Sequence, residues 1–271
     1  MRRFFLFLLV LPVAICVTAG TAWAGTTLLY AMDDATNTLY TIDPNTYALT
    51  AVGYTGVGTG DFGDMAWDSN NNTAYWVAGR GNNSLYTINL NTGAATLVGS
   101  HGINDMFALG FDPMTNMLYG EDSGSNFYSI NPNTGAATLL GNNGIYPGGL
   151  TFNSTTGQLI LTMAGGNGSF YSINPATGAA TLLGSPGFLN DNGVAWDAAK
   201  GVYFVDDWNG NLYEVNPNNW TATTVSSLNG DPFDGIIYPA GGGTVPEPAS
   251  LTLLLLGTGV VGLRKKLLGK K

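Results

Sequence analysis

The chain has 271 residues, of which only 10% are charged and 39 are glycine. That composition excludes a charge-laced helical protein and suits many short strands joined by tight turns. Between Gly25 and Thr244 stand 17 acidic residues and two basic ones, Arg80 and Lys200; a net of −15 excludes a phosphate-binding, nucleic-acid surface.

Residues 1–24 read as a secretory signal peptide. Arg2 and Arg3 form a positive start, Phe4 to Ile15 an apolar run, and Ala22-Trp23-Ala24 a small-residue cleavage site. The sole cysteine, Cys16, lies inside this leader, and Ile15 stands where a lipoprotein box wants a small residue. The exported part then has no thiol for a disulfide or a cysteine-based zinc site.

From Gly25 to about residue 239 the chain repeats. Tyr40, Tyr86, Tyr128, Tyr171 and Tyr213 each stand two residues before Ile or Val and three before Asp or Asn, at steps of 46, 42, 43 and 42 residues. A period in the low forties is the signature of a propeller blade. Four strand-like pieces recur. A short apolar stretch carries an aromatic (Trp67, Phe111, Phe152, Trp196, Tyr238), a second strand follows, the tyrosine strand is third, and Ala-Thr-Leu-Leu-Gly or a relative is fourth. Asn131-Pro-Asn-Thr-Gly135 and its equivalents join the last two as a bulged hairpin, with Pro presetting φ and Gly taking the left-handed position.

The aromatics of the first strand follow Ala66, Gly110, Thr151 and Ala195, so large faces are expected to meet small ones between blades; Ile237 breaks that column. The repeat starts on a second strand, near Leu28, and ends on a first strand at Ile236-Ile-Tyr238. Placing strand 235–239 beside the N-terminal strands 27–53 closes a ring, which removes exposed sheet edges. The expected fold is all-β: a five-bladed β-propeller of four-stranded blades spanning 25–239, with a Gly-rich linker at 240–244.

Residues 245–271 have three parts. Val245-Pro246-Glu247-Pro248 is followed by an apolar segment, 249–263, and then by a basic stop, Arg264, Lys265 and Lys266. The segment is short against the roughly 20 residues needed to span hydrocarbon, and an ordinary membrane anchor is the plain alternative. The layout resembles the bacterial PEP-CTERM sorting signal, with Pro246, Glu247 and Pro248 as the matching motif. That resemblance implies an exosortase-type processing enzyme as partner, transient anchoring in the membrane, and release to the surface or extracellular matrix of a bacterium that makes exopolysaccharide.

In a propeller, the loops between second and third strands and those between blades open on one face. Twelve of the 17 acids fall there: Asp33, Asp34, Asp61, Asp64, Asp105, Glu121, Asp122, Asp191, Asp206, Asp207, Asp231 and Asp234. Asp61, Asp105, Asp191 and Asp234 are candidate calcium ligands near the axis, because calcium prefers several carboxylate and carbonyl oxygens on loops. With Asp206, Asp207, Trp208 and Tyr146 they form a candidate face for exopolysaccharide or a surface protein. Solvation and turn chemistry account for many of these acids equally well.

Asp68-x-Asn70-x-Asn72 and Asp207-x-Asn209-x-Asn211 have the opening spacing of an EF-hand loop without its glycine, and read as turns. Gly58-Thr-Gly-Asp-Phe-Gly63 precedes a strand and carries no phosphate-loop context. His101 is the sole histidine, in a Gly-Ser-His-Gly loop, and reads as a turn residue rather than a triad member. The expectation is a non-catalytic surface or matrix propeller. An extracellular hydrolase or lyase using the same carboxylates, and a purely structural spacer, are the alternatives.

Overall fold

A computed structural model describes residues 27–58, 63–187, 191–228 and 232–239. The leader, the linker 240–244 and the tail 245–271 lie outside the described residues, and so do Asp61, Phe62, Phe188 and Asp231.

Among the described residues, twenty strands run in chain order. They are β1 (Leu29–Asp33), β2 (Thr38–Ile42) and β3 (Leu49–Tyr54); β4 (Asp64–Asp68), β5 (Thr73–Val77), β6 (Ser84–Ile88) and β7 (Ala95–Ser100); β8 (Met106–Asp112), β9 (Met117–Asp122), β10 (Asn126–Ile130) and β11 (Ala137–Asn142). The rest are β12 (Pro147–Asn153), β13 (Gln158–Met163), β14 (Phe170–Ile173) and β15 (Ala180–Gly184); β16 (Asp191–Asp197), β17 (Val202–Asp207), β18 (Leu212–Asn216) and β19 (Thr221–Ser226); and β20 (Phe233–Ile237). They form five antiparallel sheets of four, as the repeat predicts. The ring closes through β20, which pairs with β1 at Tyr30↔Ile237 and Ala31↔Ile236. The closing strand begins two residues before the expected 235, and blade 1 runs to Tyr54.

The tyrosine strand repeats its register in every blade. Opposite Tyr40, Tyr86, Tyr128, Tyr171 and Tyr213 the ladder skips one residue of the outer strand. That bulge turns Val52, Val98, Leu140, Leu183 and Val225 inward, where each packs against an inter-blade core. At the other end of the same hairpin, Gly135 takes φ 76° and donates its N–H to Asn131 O at 2.8 Å.

Small-on-large packing between first strands holds as expected. Ala66 shares a cluster with Leu109 and Phe111 of the next blade, and Ala195 with Ile236 and Tyr238. The Ile237 exception has a compensation. Ile237 packs in the cluster of Met65, Trp67 and Ala74. In register, Ala74 stands where other blades carry Leu29, Leu118, Leu159 and Tyr203. The volume lost at Ala74 makes room for Ile237.

Outer edges interlock through glycine. A Cβ on Gly53, Gly99 or Gly141 would stand 2.0–2.2 Å from the carbonyl oxygen of Thr92, Thr134 or Thr177 in the next blade's turn. Blade 5 is different at both seams. Trp220 (φ 57°) and Tyr47 (φ 58°) occupy the turn position that is Gly93, Gly135 and Gly178 elsewhere, a conformation that bulky side chains avoid. Trp220 is held against Phe170, ring centroids 5.3 Å apart. Tyr47 donates its hydroxyl to Glu214 at 3.0 Å. Lys200 completes the seam: its Nζ donates to Glu214 Oε1 and Pro44 O, each at 2.6 Å, and lies over the Tyr47 and Phe204 rings.

Lys200 therefore ties blade 5 to blade 1. Replacing it with Met keeps the stem and removes the ammonium. Lys200→Met is expected to cost about 1–2 kcal/mol, from a partly exposed ion pair, a charged hydrogen bond and cation–π contact. Differential scanning calorimetry should show the melting temperature falling by roughly 2–6 °C for a domain of this size.

Candidate functional site

The innermost strands β4, β8, β12, β16 and β20 contact one another in a ring around the axis. An inner strand has one unpaired edge, so its N–H groups need acceptors from elsewhere. In register with the second strands, one level of the axis holds Asp64, Ala108, Gly149, Gly193 and Gly235. Four of the five side chains are methyl or hydrogen, and the fifth is a carboxylate. Asp64 Oδ1 accepts the Met65 N–H at 2.7 Å; Oδ2 accepts Leu109 N–H at 2.8 Å and Leu150 N–H at 3.1 Å. A Cβ on Gly235 would stand 2.5 Å from Asp64 Oδ1, and one on Gly193 would stand 2.8 Å from the Gly235 Cα. Backbone and one carboxylate fill the axis. Burial raises the Asp64 pKa well above the carboxylate range, and the three N–H donors work against that shift.

Above this plug lies the mouth. Gly63, Phe107, Tyr146, Pro147, Gly148, Ala164, Asn192 and Trp208 line a space of about 10 Å³, room for about one water. Phe107 and Tyr146 meet edge to face, centroids 5.9 Å apart, and the Arg80 guanidinium sits 5.6 Å from the Phe107 centroid. Tyr146 is exposed at 42%.

The carboxylates beside this mouth are buried. Asp191 and Asp206 are both 0% exposed, and Asp234 is 3%. Among the described residues, none of the four oxygens of Asp191 and Asp206 completes a well-formed hydrogen bond. The Thr162 hydroxyl beside Asp191 donates instead to Gly149 O at 3.3 Å. Desolvation pushes the Asp191 pKa up to about 7 and raises Asp206 well above its ordinary value, with Asp207 and Asp191 repelling its charge. Burial and the neighbouring Asp34 also raise Asp234, whose Oδ1 receives the Asn192 amide at 3.4 Å. Glu121, in register with Asp206 two blades away, is pushed up to about 8 by burial although Asn143 donates to it at 2.7 Å.

The sequence candidates separate by depth. Asp191, Asp206 and Asp234 lie together at the axis, with Tyr146 and Trp208 at the opening above them. Asp105 turns to its own blade, receiving the Ser123 hydroxyl at 3.4 Å. Asp207 is engaged by its turn: Oδ1 accepts the N–H groups of Asn209 and Asn211, and Oδ2 accepts the Tyr213 hydroxyl at 2.8 Å. Asp122 repeats this lock with Gly124, Asn126 and Tyr128. Asp68 likewise caps Asn70 and Asn71, so both EF-like strings are turns. His101 is buried and its Nδ1 accepts the Ile103 N–H; desolvation lowers its pKa to about 4, leaving it neutral. Among the described residues, no group of three or more His, Cys, Asp or Glu side chains surrounds one metal position.

Sequence reasoning passed over Asp64, because it reads as one more loop acid. Only the strand register puts it in a column of Ala and Gly.

Family models match two parts of the chain. Residues 13–109 match a domain of unknown function, DUF4394, and residues 244–266 match the PEP-CTERM protein-sorting motif. The tail is a PEP-CTERM sorting signal. That signal implies export in a bacterium, transient membrane anchoring and processing by exosortase. Among curated proteins none matches the chain. Solved structures share the fold. A chain of a nidogen/laminin complex aligns with 16% identity and TM-score 0.56 over 79% of this chain and 81% of its own. A structural-genomics protein of unknown function from Bacteroides thetaiotaomicron VPI-5482 aligns with 20% identity and TM-score 0.58, over 82% of this chain and 64% of its own.

The buried acids set an unusual pH response. Their folded pKa values are raised, so the folded state holds protons that the unfolded chain releases above about pH 4. Their contribution is full below the unfolded carboxylate range and is lost as pH rises through about 7 for Asp191 and about 8 for Glu121. Without added divalent cation, the melting temperature is expected to fall by several degrees between pH 5 and 9. Asp191→Asn and Glu121→Gln should each flatten that slope in a calorimetric pH series.

Proposed function

We propose that this is an exported, non-catalytic surface or matrix propeller whose acidic mouth binds a divalent cation, calcium by chemistry. Through that cation or the aromatic collar, it engages an exopolysaccharide or surface protein. The observation that carries this reading is the pair Asp191 and Asp206: two fully buried carboxylates whose four oxygens complete no well-formed hydrogen bond beneath an aromatic opening. An unpartnered buried charge is costly, and a cation or a proton is what relieves it. Calcium takes backbone carbonyls, hydroxyls and water beside carboxylates, so two acids with Thr162 and Asp234 nearby suit it without a third acid in direct contact. Of the earlier candidates, Asp105 turns to Ser123 and stands outside this pair, and Asp61 lies outside the described residues.

Chain direction supports the same reading. Thr27 and Tyr238 lie side by side, at the end where β1 starts and β20 stops, opposite the acidic mouth. A signal peptide before Gly25 and a tail after the 240–244 linker both leave from that end. The polymer hydrolase or lyase alternative fits less well, since Asp191 and Asp206 are fully buried and Asp234 nearly so, which withholds them from a substrate.

The test is thermal unfolding at pH 8 in EDTA and in millimolar calcium. Cation at about 100 times its dissociation constant adds roughly 2.7 kcal/mol, worth several degrees. The shift should vanish in Asp191→Asn and Asp206→Asn. No calcium shift in the native chain, with Asp191→Asn stabilising at pH 8, would leave the pair as uncompensated buried acids and end the cation reading.

A further inference from the structure

The axis ends in the acidic mouth on one side and, on the other, in an aromatic-lined hollow of about 100 Å³ beside Trp67, Phe152 and Trp196. The flanks of the ring between these ends are unequal. No charged residue stands between Asp122 and Asp191, nor between Arg80 and Asp105. The first stretch holds the outer half of blade 3 (β10 and β11) and all of blade 4 (β12 to β15); the second holds the outer half of blade 2. The opposite side of the ring, at the seam of blades 5 and 1, holds Lys200, Glu214 and Asp43. A strongly acidic propeller thus has one neutral flank.

That flank is also where leucine is exposed. Leu97, Leu139 and Leu182 share one register position, opposite Tyr86, Tyr128 and Tyr171, and are 58–61% exposed. The same position is Ala51 in blade 1 and Thr224 in blade 5. Sheet edges are ordinarily guarded by lysine, proline or another charge, and none lies within β7, β11 or β15. The guard here is different. A bulge follows each leucine, and the next blade covers Gly99, Gly141 and Gly184. These edges therefore offer a partner leucine and threonine side chains, not a continuous ladder.

Charge and chain direction select the partner. A protein of either sign gains no ion pair on this flank, and a polyanion meets no cation. A second copy is repelled by the acids elsewhere on the ring and meets none here. Leader and tail leave from one end of the axis. A two-fold axis parallel to the ring axis pairs the same flank of each copy and keeps both tails at one end, as attachment to one membrane requires.

We propose that the neutral flank is a homotypic contact: two copies pack through blades 3 and 4 about such a two-fold axis, with Leu139 and Leu182 at its centre. The contact is separate from the acidic mouth and needs no cation.

Cysteine crosslinking of the full chain in the membranes of expressing cells tests this, since Cys16→Ser removes the only native thiol. In that background Leu139→Cys and Leu182→Cys should yield a disulfide-linked species of twice the chain mass on oxidation with copper–phenanthroline. Ala51→Cys and Thr224→Cys, exposed at the same register position on the far flank, should not. Sedimentation velocity of the detergent-solubilised chain should show a monomer–dimer equilibrium. Leu139→Glu and Leu182→Glu should each weaken it at least about tenfold, because like charges then meet across the two-fold axis; Thr224→Glu should not. High salt should leave the dimer intact, since no ion pair holds it. A monomer at every concentration, equal crosslinking at all four cysteines, an adduct of any other mass, or a dimer dissolved by salt would overturn the proposal. EDTA and calcium should not alter the dimer, so this result stands or falls apart from the cation reading.

Discussion

Five strands that converge on one axis leave their inner edges without neighbours, and the molecule depends on how those N–H groups are answered. Asp64 answers three of them, from blades 2, 3 and 4, with two oxygens. Its reach across the axis is possible because Ala108, Gly149, Gly193 and Gly235 leave the room. A Cβ at Gly149 would stand 2.7 Å from Val194 N, and one at Gly235 would meet Asp64 itself. Five blades with larger side chains at this level would be forced apart into an open channel. Here the axis is solid, and each end becomes a separate concavity rather than the two mouths of one tunnel.

The same economy of volume governs the rim. Four of the five outer strands bring a glycine against the next blade's turn, β19 carrying Ser226 instead, and at three seams the turn answers with its own left-handed glycine. Blade 5 lacks that glycine at both seams. Trp220 and Tyr47 accept an unfavourable φ, and packing against Phe170 and the Lys200–Glu214 pair holds them in place. The two seams of blade 5 are thus built from side-chain chemistry, where the other three are built from backbone contact. The blade 5–blade 1 seam joins residues 156 and 167 apart in sequence through Lys200–Pro44 and Tyr47–Glu214, so side-chain bonding there supports the ring where loop-closure entropy opposes it.

What was legible in the sequence was local. Tyr-x-Ile-Asn-Pro-x-Thr-Gly encodes a strand, a turn and a bulged hairpin within a dozen residues, and counting strands at the two ends gave closure. Depth was not legible. Asp105 and Asp191 hold similar places in inter-blade connections, yet one turns outward to Ser123 and the other is buried against Gly148. Asp207 and Asp206 are neighbours in sequence, and strand alternation sends them to opposite faces: one into a satisfied turn, one into a partnerless pocket. The Ile237 anomaly was visible, but its remedy at Ala74 belongs to another blade and appears only in register.

The position of the closure also decides how the two ends of the axis face their surroundings. Splitting blade 1 between its first and second strands leaves the chain ends on antiparallel neighbours, β20 and β1, so both emerge at one end. A split between the second and third strands would instead have put both at the acidic mouth. With the PEP-CTERM tail attached after β20, the tether leaves from the innermost strand, which is hydrogen-bonded to β1 and packed against its neighbours around the axis. Among the described residues, β20 is therefore held on one edge by β1 and packed against β16 and β4 around the axis. The strand that joins the two ends of the propeller lies at its centre and not at its rim, and the glycine column that seals the axis beside Asp64 runs through it at Gly235.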